Sequence, residues 1–334
     1  MMRPTVVISL DLELSWGSFD HAFGNDLIDM ARWTHEVGVP RLLDHLTRNR
    51  LSATWAIVGA MMCERLPDLS HLSEVRYPHF PKPWFTYVPR DGNATRNPEW
   101  FGPSLVRMIQ QASPKQEIGF HSFSHVLFGV PGISYERAVA EFDECLRIAQ
   151  ELGFRAESFV FPRNSIGFLD ELRRAGFVCY RDLDRLPFQL SNLKLRSILG
   201  ILADFIGTAP RTVQPFMNQG LVAIPGSMMI RYLGGWRRFI PDSSHLRRLR
   251  KGLKLVQQQG GVFHVWFHPE NLYASRPRLE NVIAEFLNEL GSLVRGGAVR
   301  CVTMGELARE YLAAASSQPD GVLDGVYDHA HRSA

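Results

Sequence analysis

Hydrophobic positions along this chain follow two alternating patterns. Short runs rich in apolar and β-branched residues recur at Thr5–Asp11, Ala53–Val58, Glu117–Phe120, Ser158–Phe161, Phe177–Tyr180, Leu221–Ile224, Val262–Phe267 and Val299–Val302, and they predict strands. Between most of them, apolar residues return at helical spacing. In Pro40–Asn49 the side chains of Leu42, Leu43 and Leu46 share one face, and Leu105–Gln111 reads the same way. Ser134 predicts the N-cap of a long helix to Leu152, with Ala138, Phe142, Leu146 and Ala149 along one side. Gly153, Gly176, Gly260 and Gly297 sit where helices should stop. Strands separated by helices point to an α/β fold with a parallel sheet. A closed or nearly closed (β/α) barrel is favoured over an open doubly wound sheet, because no dinucleotide-type glycine fingerprint follows the first strand.

Three stretches break the alternation. Tyr77–Pro103 is rich in proline, aromatic and turn residues, which suits either a functional lid or a loop covering a core edge. Met229–Val256 carries eight basic residues against one acid, Asp242, interleaved with Tyr232, Leu233, Trp236, Phe239 and Ile240. That pattern suits a phosphate-bearing ligand, an anionic membrane surface, or simply a solvated helix face. Residues 316–334 lack periodicity and are expected to form a disordered tail, where His329 and His331 carry little weight. The expected organisation is one barrel over 1–315, with 77–103 and 229–256 as insertions.

Composition narrows the function classes. The 334 residues are 45% hydrophobic and 21% charged, which excludes a fibrous or wholly disordered chain. A net charge of +3, from 37 basic and 34 acidic residues, gives no reason to expect nucleic acid as a partner. Cys63, Cys145, Cys179 and Cys301 lie too far apart in sequence to suggest a cysteine-only zinc site. The apolar run after Pro4 is too short for a signal-peptide core, and the run at Ile198–Gly207 is broken by Asp204. The expected location is the cytoplasm, with peripheral contact at the inner membrane face through 229–256 as a further expectation.

Candidate chemistry gathers where predicted strands end. Alternation along the first strand puts Asp11 and Glu13 on one side at its C-terminal end, and two neighbouring carboxylates repel unless a cation or proton lies between them. The strand at Glu117–Phe120 runs into His121 and His125, whose spacing lets both imidazoles face one ion. A late strand ends at His268 before Pro269, whereas His264 within it reads as a core histidine. Arg163 follows Phe161-Pro162 at another strand end, where it would orient a carboxylate or contact substrate. Each signal alone is modest. Six such residues on the rim where (β/α) barrels build their active sites are not plausibly accidental.

This order of segments resembles the polysaccharide deacetylase family, also called the NodB-homology or carbohydrate esterase family 4 group. The carriers are Asp11-Leu12-Glu13, His121-Ser122-Phe123-Ser124-His125, the Phe161-Pro162-Arg163-Asn164 strand end and the late His268, over roughly Thr5 to Met304. The resemblance implies a distorted (β/α)7-type barrel with parallel strands, and hydrolysis of N-acetyl or related amides on sugars. It implies one divalent metal, usually zinc, held by Glu13, His121 and His125, with Asp11 as catalytic base and His268 as general acid. Two departures stand out: Leu12 separates the acids that many members have adjacent, and the third segment keeps its proline but moves the arginine and lacks the tyrosine. Asp182 or Asp184 would supply the carboxylate that tunes His268. The favoured substrates are a nucleotide-linked sugar, an oligosaccharide or a lipid-linked sugar. Two alternatives stay open: a non-sugar amide or cyclic ureide as substrate, and a non-catalytic protein that binds glycan or membrane.

Overall fold

The computed structural model describes residues 2–18, 25–78, 80, 82–184, 205, 207–233 and 238–316. The tail beyond 316 with His329 and His331, most of the 198–207 run, His79 and Pro81 in the aromatic stretch, and 234–237 in the basic stretch lie outside the described residues. Ser316 itself closes a helix.

Strands and helices alternate as the hydrophobic pattern predicts. β1 (Thr5–Leu12) is followed by α1 (Asn25–Trp33), α2 (Val39–Asn49), β2 (Thr54–Ile57), α3 (Pro103–Gln111), β3 (Glu117–Phe120) and α4 (Tyr135–Glu151). β4 (Ser158–Phe159), α5 (Leu169–Arg174), β5 (Cys179–Asp182), β6 (Phe216–Asn218), β7 (Leu221–Pro225) and β8 (Met228–Met229) come next. α6 (Asp242–Gln259), β9 (Val262–Phe267), α7 (Asn271–Ala274), α8 (Arg278–Arg295), β10 (Arg300–Cys301) and α9 (Met304–Ser316) complete the chain.

These strands form one curled sheet in the order β6-β7-β5-β4-β3-β2-β1-β9-β8, with β10 pairing the start of β1. Every pairing is parallel except β6 with β7, which corrects the all-parallel expectation at one edge. The cause is local: Gln219 and Gly220 both take positive φ (48° and 76°), the two-residue geometry that reverses a strand into a hairpin. A reciprocal backbone bridge joins Val213, just ahead of β6, to Val262 at the start of β9. The two margins of the sheet therefore meet near the start of β9, and the result is a distorted α/β barrel.

All eight residues of β1 are buried, as expected for a strand covered on both faces. α2 buries Val39, Leu42, Leu43 and Leu46 on one stripe, each such side chain contributing about 1.5–3 kcal/mol through removal from water. The Ser134 side chain accepts the Arg137 N–H and starts α4, while Gly153 (φ 70°) lies just past its end. These elements leave the C-terminal ends of β1, β3, β4, β5 and β9 facing one mouth.

Candidate active site

Glu13 follows β1 directly, and His121 and His125 follow β3. Glu13 Oε1 lies 2.9 Å from His121 Nε2 and 3.2 Å from His125 Nε2. Each of the three residues offers one donor atom, and these atoms lie within 4.8 Å of one another. His121 Nδ1 donates to the Val160 carbonyl at 2.8 Å, which orients the ring and leaves Nε2 facing Glu13. The segment after β4, which carries Arg163, thus also orients one histidine. Gly17 is needed for space: a Cβ there would overlap the Glu13 carboxylate.

Burial pushes the Glu13 carboxyl up, but the imidazoles of His268 and His125 outweigh it and hold the group well below the usual carboxylate range. Burial pushes the His125 imidazole down against the opposing pull of Glu13. A charged carboxylate and two imidazoles with nitrogens turned inward form a donor set that fits a divalent ion such as zinc.

Asp11 sits beside this cluster, buried, with its carboxylate clasped by Arg181. Both contacts, Nη1 to Oδ1 and Nη2 to Oδ2, are 2.6 Å. Burial raises the Asp11 carboxyl most, yet the charge and hydrogen bonds of Arg181, together with the imidazoles of His121 and His268, offset this and leave it below its ordinary value. The guanidinium in turn lies over the Trp266 ring, 3.9 Å from its centroid. His268 closes the group, its Nε2 3.3 Å from Glu13 Oε1 and 3.8 Å from Asp11 Oδ2, with 22% of its side chain exposed. Burial disfavours its imidazolium, but Glu13 and Asp11 outweigh that and raise its pKa to about 9. Asp11, Glu13 and His268 also converge. A second cation there would have to compete with Arg181 for Asp11, so the three-ligand cluster is the better metal site.

Asp11, Glu13, His125, Arg163, Asn164, Arg181, Met229, Trp266 and His268 line a cavity of about 260 Å³ at the mouth. Arg163 is exposed on its rim, in left-handed backbone (φ 52°). The guanidinium that orients Asp11 belongs to Arg181, however, not to Arg163. Arg181 escaped the sequence reading because it sits inside a strand, where a buried charge is not expected. The carboxylates that act most on His268 are Glu13, then Asp11 and Glu270. Asp184 accepts the Trp266 Nε1–H at 2.7 Å. Glu270 also went unread, since an acid after His-Pro looks like an ordinary helix start. His264 is fully buried between Ser9 and the Pro225 carbonyl, as a core histidine should be.

The two unusual stretches have structural employment. Tyr77, Phe80 and Trp84 are buried, and Trp84 Nε1 donates to the Ser124 carbonyl at 2.8 Å, against the histidine turn. In the basic stretch, Arg250 pairs with Glu285 and Glu289 on α8, while Arg248 and Lys251 donate to the carbonyls of Thr208 and Gly207.

The architecture matches solved structures over almost its whole length. A crystal structure from Mycobacterium smegmatis assigned to the polysaccharide deacetylases covers 95% of this chain and 93% of its own, at 17% identity and TM-score 0.62. One from Pseudomonas aeruginosa PAO1 with the same assignment has the same coverage, at 13% identity and TM-score 0.58. The fold is that of the polysaccharide deacetylases. Puue allantoinase shares it as well, over 93% of this chain and 91% of its own, at 14% identity and TM-score 0.57. No family model and no curated protein matches the sequence. Among the described residues, no helix is long and apolar enough to cross a membrane.

Proposed function

We propose that this chain is a hydrolase that uses one divalent metal ion, zinc, to remove an N-acetyl group from a sugar. The observation that carries the reading is the buried convergence of Glu13, His121 and His125 beside Asp11, clasped by Arg181, and beside His268. Amides resist hydrolysis because the carbonyl is weakly electrophilic and the amine leaves poorly. A metal held by Glu13, His121 and His125 supplies a Lewis acid that polarises the carbonyl and acidifies water.

The chain's own residues supply the proton transfers. Asp11 is ionised, and each oxygen keeps a lone pair beyond its bond to Arg181, so it acts as general base. His268 reaches the cavity from the solvent side in its charged form and donates a proton to the departing nitrogen. Arg163 on the rim contacts the substrate. The cavity admits the acyl group and the ring bearing it, and the rest of a nucleotide-linked or lipid-linked sugar would lie outside.

The basic stretch offers less to a lipid surface than its sequence implies, because Arg250, Arg248 and Lys251 bond within the protein. Membrane contact would fall to other cations of the stretch, such as exposed Arg247 and Lys254.

The test is metal analysis of the wild-type protein and His121→Ala, with acetate release followed on free and nucleotide-linked N-acetyl sugars and, in parallel, on ureides. We expect about one metal per wild-type chain. His121→Ala should lose it, and acetate release should fall by at least the ~10²-fold that even outer metal partners command. Equal metal content and equal release would overturn the reading. Turnover confined to ureides would replace its substrate, and stoichiometric metal without turnover on any amide would make the chain a binding protein.

A further inference from the structure

We propose that Glu270 and Glu141 are positioning residues, which hold the two metal-binding turns in their ligating shape before any cation arrives. The inference rests on the metal reading above.

Both turns contain left-handed backbone at residues with side chains. Leu14, just after Glu13, has φ 48°, and in the histidine turn Ser122 has φ 55° and His125 φ 60°. Such conformations cost roughly 1–2 kcal/mol per residue and persist only where surrounding contacts impose them. They also turn successive backbone N–H groups inward, where each needs an acceptor.

A buried carboxylate meets each turn in the same way. Glu270, 4% exposed, accepts the N–H of Glu13 at 3.0 Å and of Leu14 at 2.7 Å on a single oxygen, Oε1. Glu141, fully buried on α4, accepts the N–H of Phe123 at 3.0 Å and of Ser124 at 2.9 Å on Oε2. Its Oε1 takes the Ser124 hydroxyl at 2.5 Å and the Arg137 guanidinium at 2.8 Å. Arg137 reaches on to the Ser73 carbonyl, tying the histidine turn to the loop beneath it. Two buried carboxylates behind one site are costly to desolvate. What they have in common is that each accepts two consecutive N–H groups of a segment that carries metal ligands. Without the Glu270 acceptor, the strained turn at Leu14 would relax and take the Glu13 carboxylate away from the two imidazoles.

Glu270 is the better residue to test, because Glu141 also neutralises the buried Arg137. The other Glu270 oxygen, Oε2, has no hydrogen-bond partner among the described residues. Glu270→Gln therefore keeps the Oε1 acceptor and removes the charge without breaking a hydrogen bond at Oε2, whereas Glu270→Asp keeps charge and shortens the reach. Zn²⁺ affinity of the full-length chain would be measured by chelator competition, and ligand geometry from the visible spectrum of the Co²⁺ form. We expect Glu270→Gln to bind within about threefold of wild type with an unchanged Co²⁺ spectrum. Glu270→Asp should bind about 10–100-fold more weakly with an altered one. Equal affinities for the two variants, or the reverse order, would overturn the clamp. Wild-type protein that binds neither ion would remove the metal reading itself, a failure distinct from that of the clamp.

Discussion

Arg181 shows how a single side chain shapes the site from an unexpected place. Its planar fork matches the two oxygens of Asp11, and its face rests on Trp266, so the carboxylate is held both charged and aimed. A lysine would keep the charge but offer one point contact in place of a fork. Arg181→Lys should therefore leave metal content unchanged and lower kcat by about 10²–10³-fold, the range expected when the proposed general base, Asp11, loses its alignment. Steady-state kinetics beside metal analysis separates these effects, and a kcat within threefold of wild type would remove Arg181 from the machinery. Local sequence offered no way to foresee this pair. Arg181 lies between Tyr180 and Asp182, and its partner is 170 residues away. Asp11, Glu13, His121, His125 and His268 could be noticed because each stands at a strand end, where polar residues follow apolar ones.

At the level of elements, the hydrophobic pattern was legible wherever burial repeats with a period. β1, β2, β3 and β9 lie within a residue of their expected limits, and the cap at Ser134 starts α4 as read. β6 was not legible, because Phe216-Met217-Asn218 is short and only partly apolar, and its pairing depends on the Gln219-Gly220 reversal. The aromatic loop was open to two readings, and its contacts favour the structural one. The Tyr77 hydroxyl accepts the Leu127 N–H at 2.7 Å, two residues past His125. Tyr77→Phe leaves that N–H without its partner and should cost about 1–3 kcal/mol in chemical denaturation. A sugar platform would respond differently, with KM raised and stability intact, so the two measurements together decide the role of the loop.

Across the whole molecule, a polar seam runs through the barrel interior from His264 and Ser9 to Asp11 and Arg181, and it ties global stability to pH. His264 Nε2 faces the Ser9 hydroxyl at 2.9 Å and Nδ1 faces the Pro225 carbonyl at 3.1 Å, which a neutral ring satisfies as acceptor and donor. Burial and the nearby Arg181 charge, only partly countered by Asp11, push its pKa from 6.5 down to about 3. The unfolded chain protonates this histidine near pH 6.5 while the folded chain does not. Its contribution is therefore whole above that pH and drains away as pH falls towards 3. One proton taken up on unfolding corresponds to at most ~1.4 kcal/mol per pH unit. His264→Gln supplies a similar donor and acceptor without a titrating group. Between pH 6 and 4, wild type should lose stability relative to this variant at up to that slope, while above pH 7 their difference should stay flat. Glu270 and His268 titrate in both proteins, with pKa values raised to about 7 and about 9, and their effects cancel in the difference. Parallel stability curves across the acid range would mean that His264 is charged in the folded state, and the seam would then have to be redrawn around an imidazolium beside Arg181.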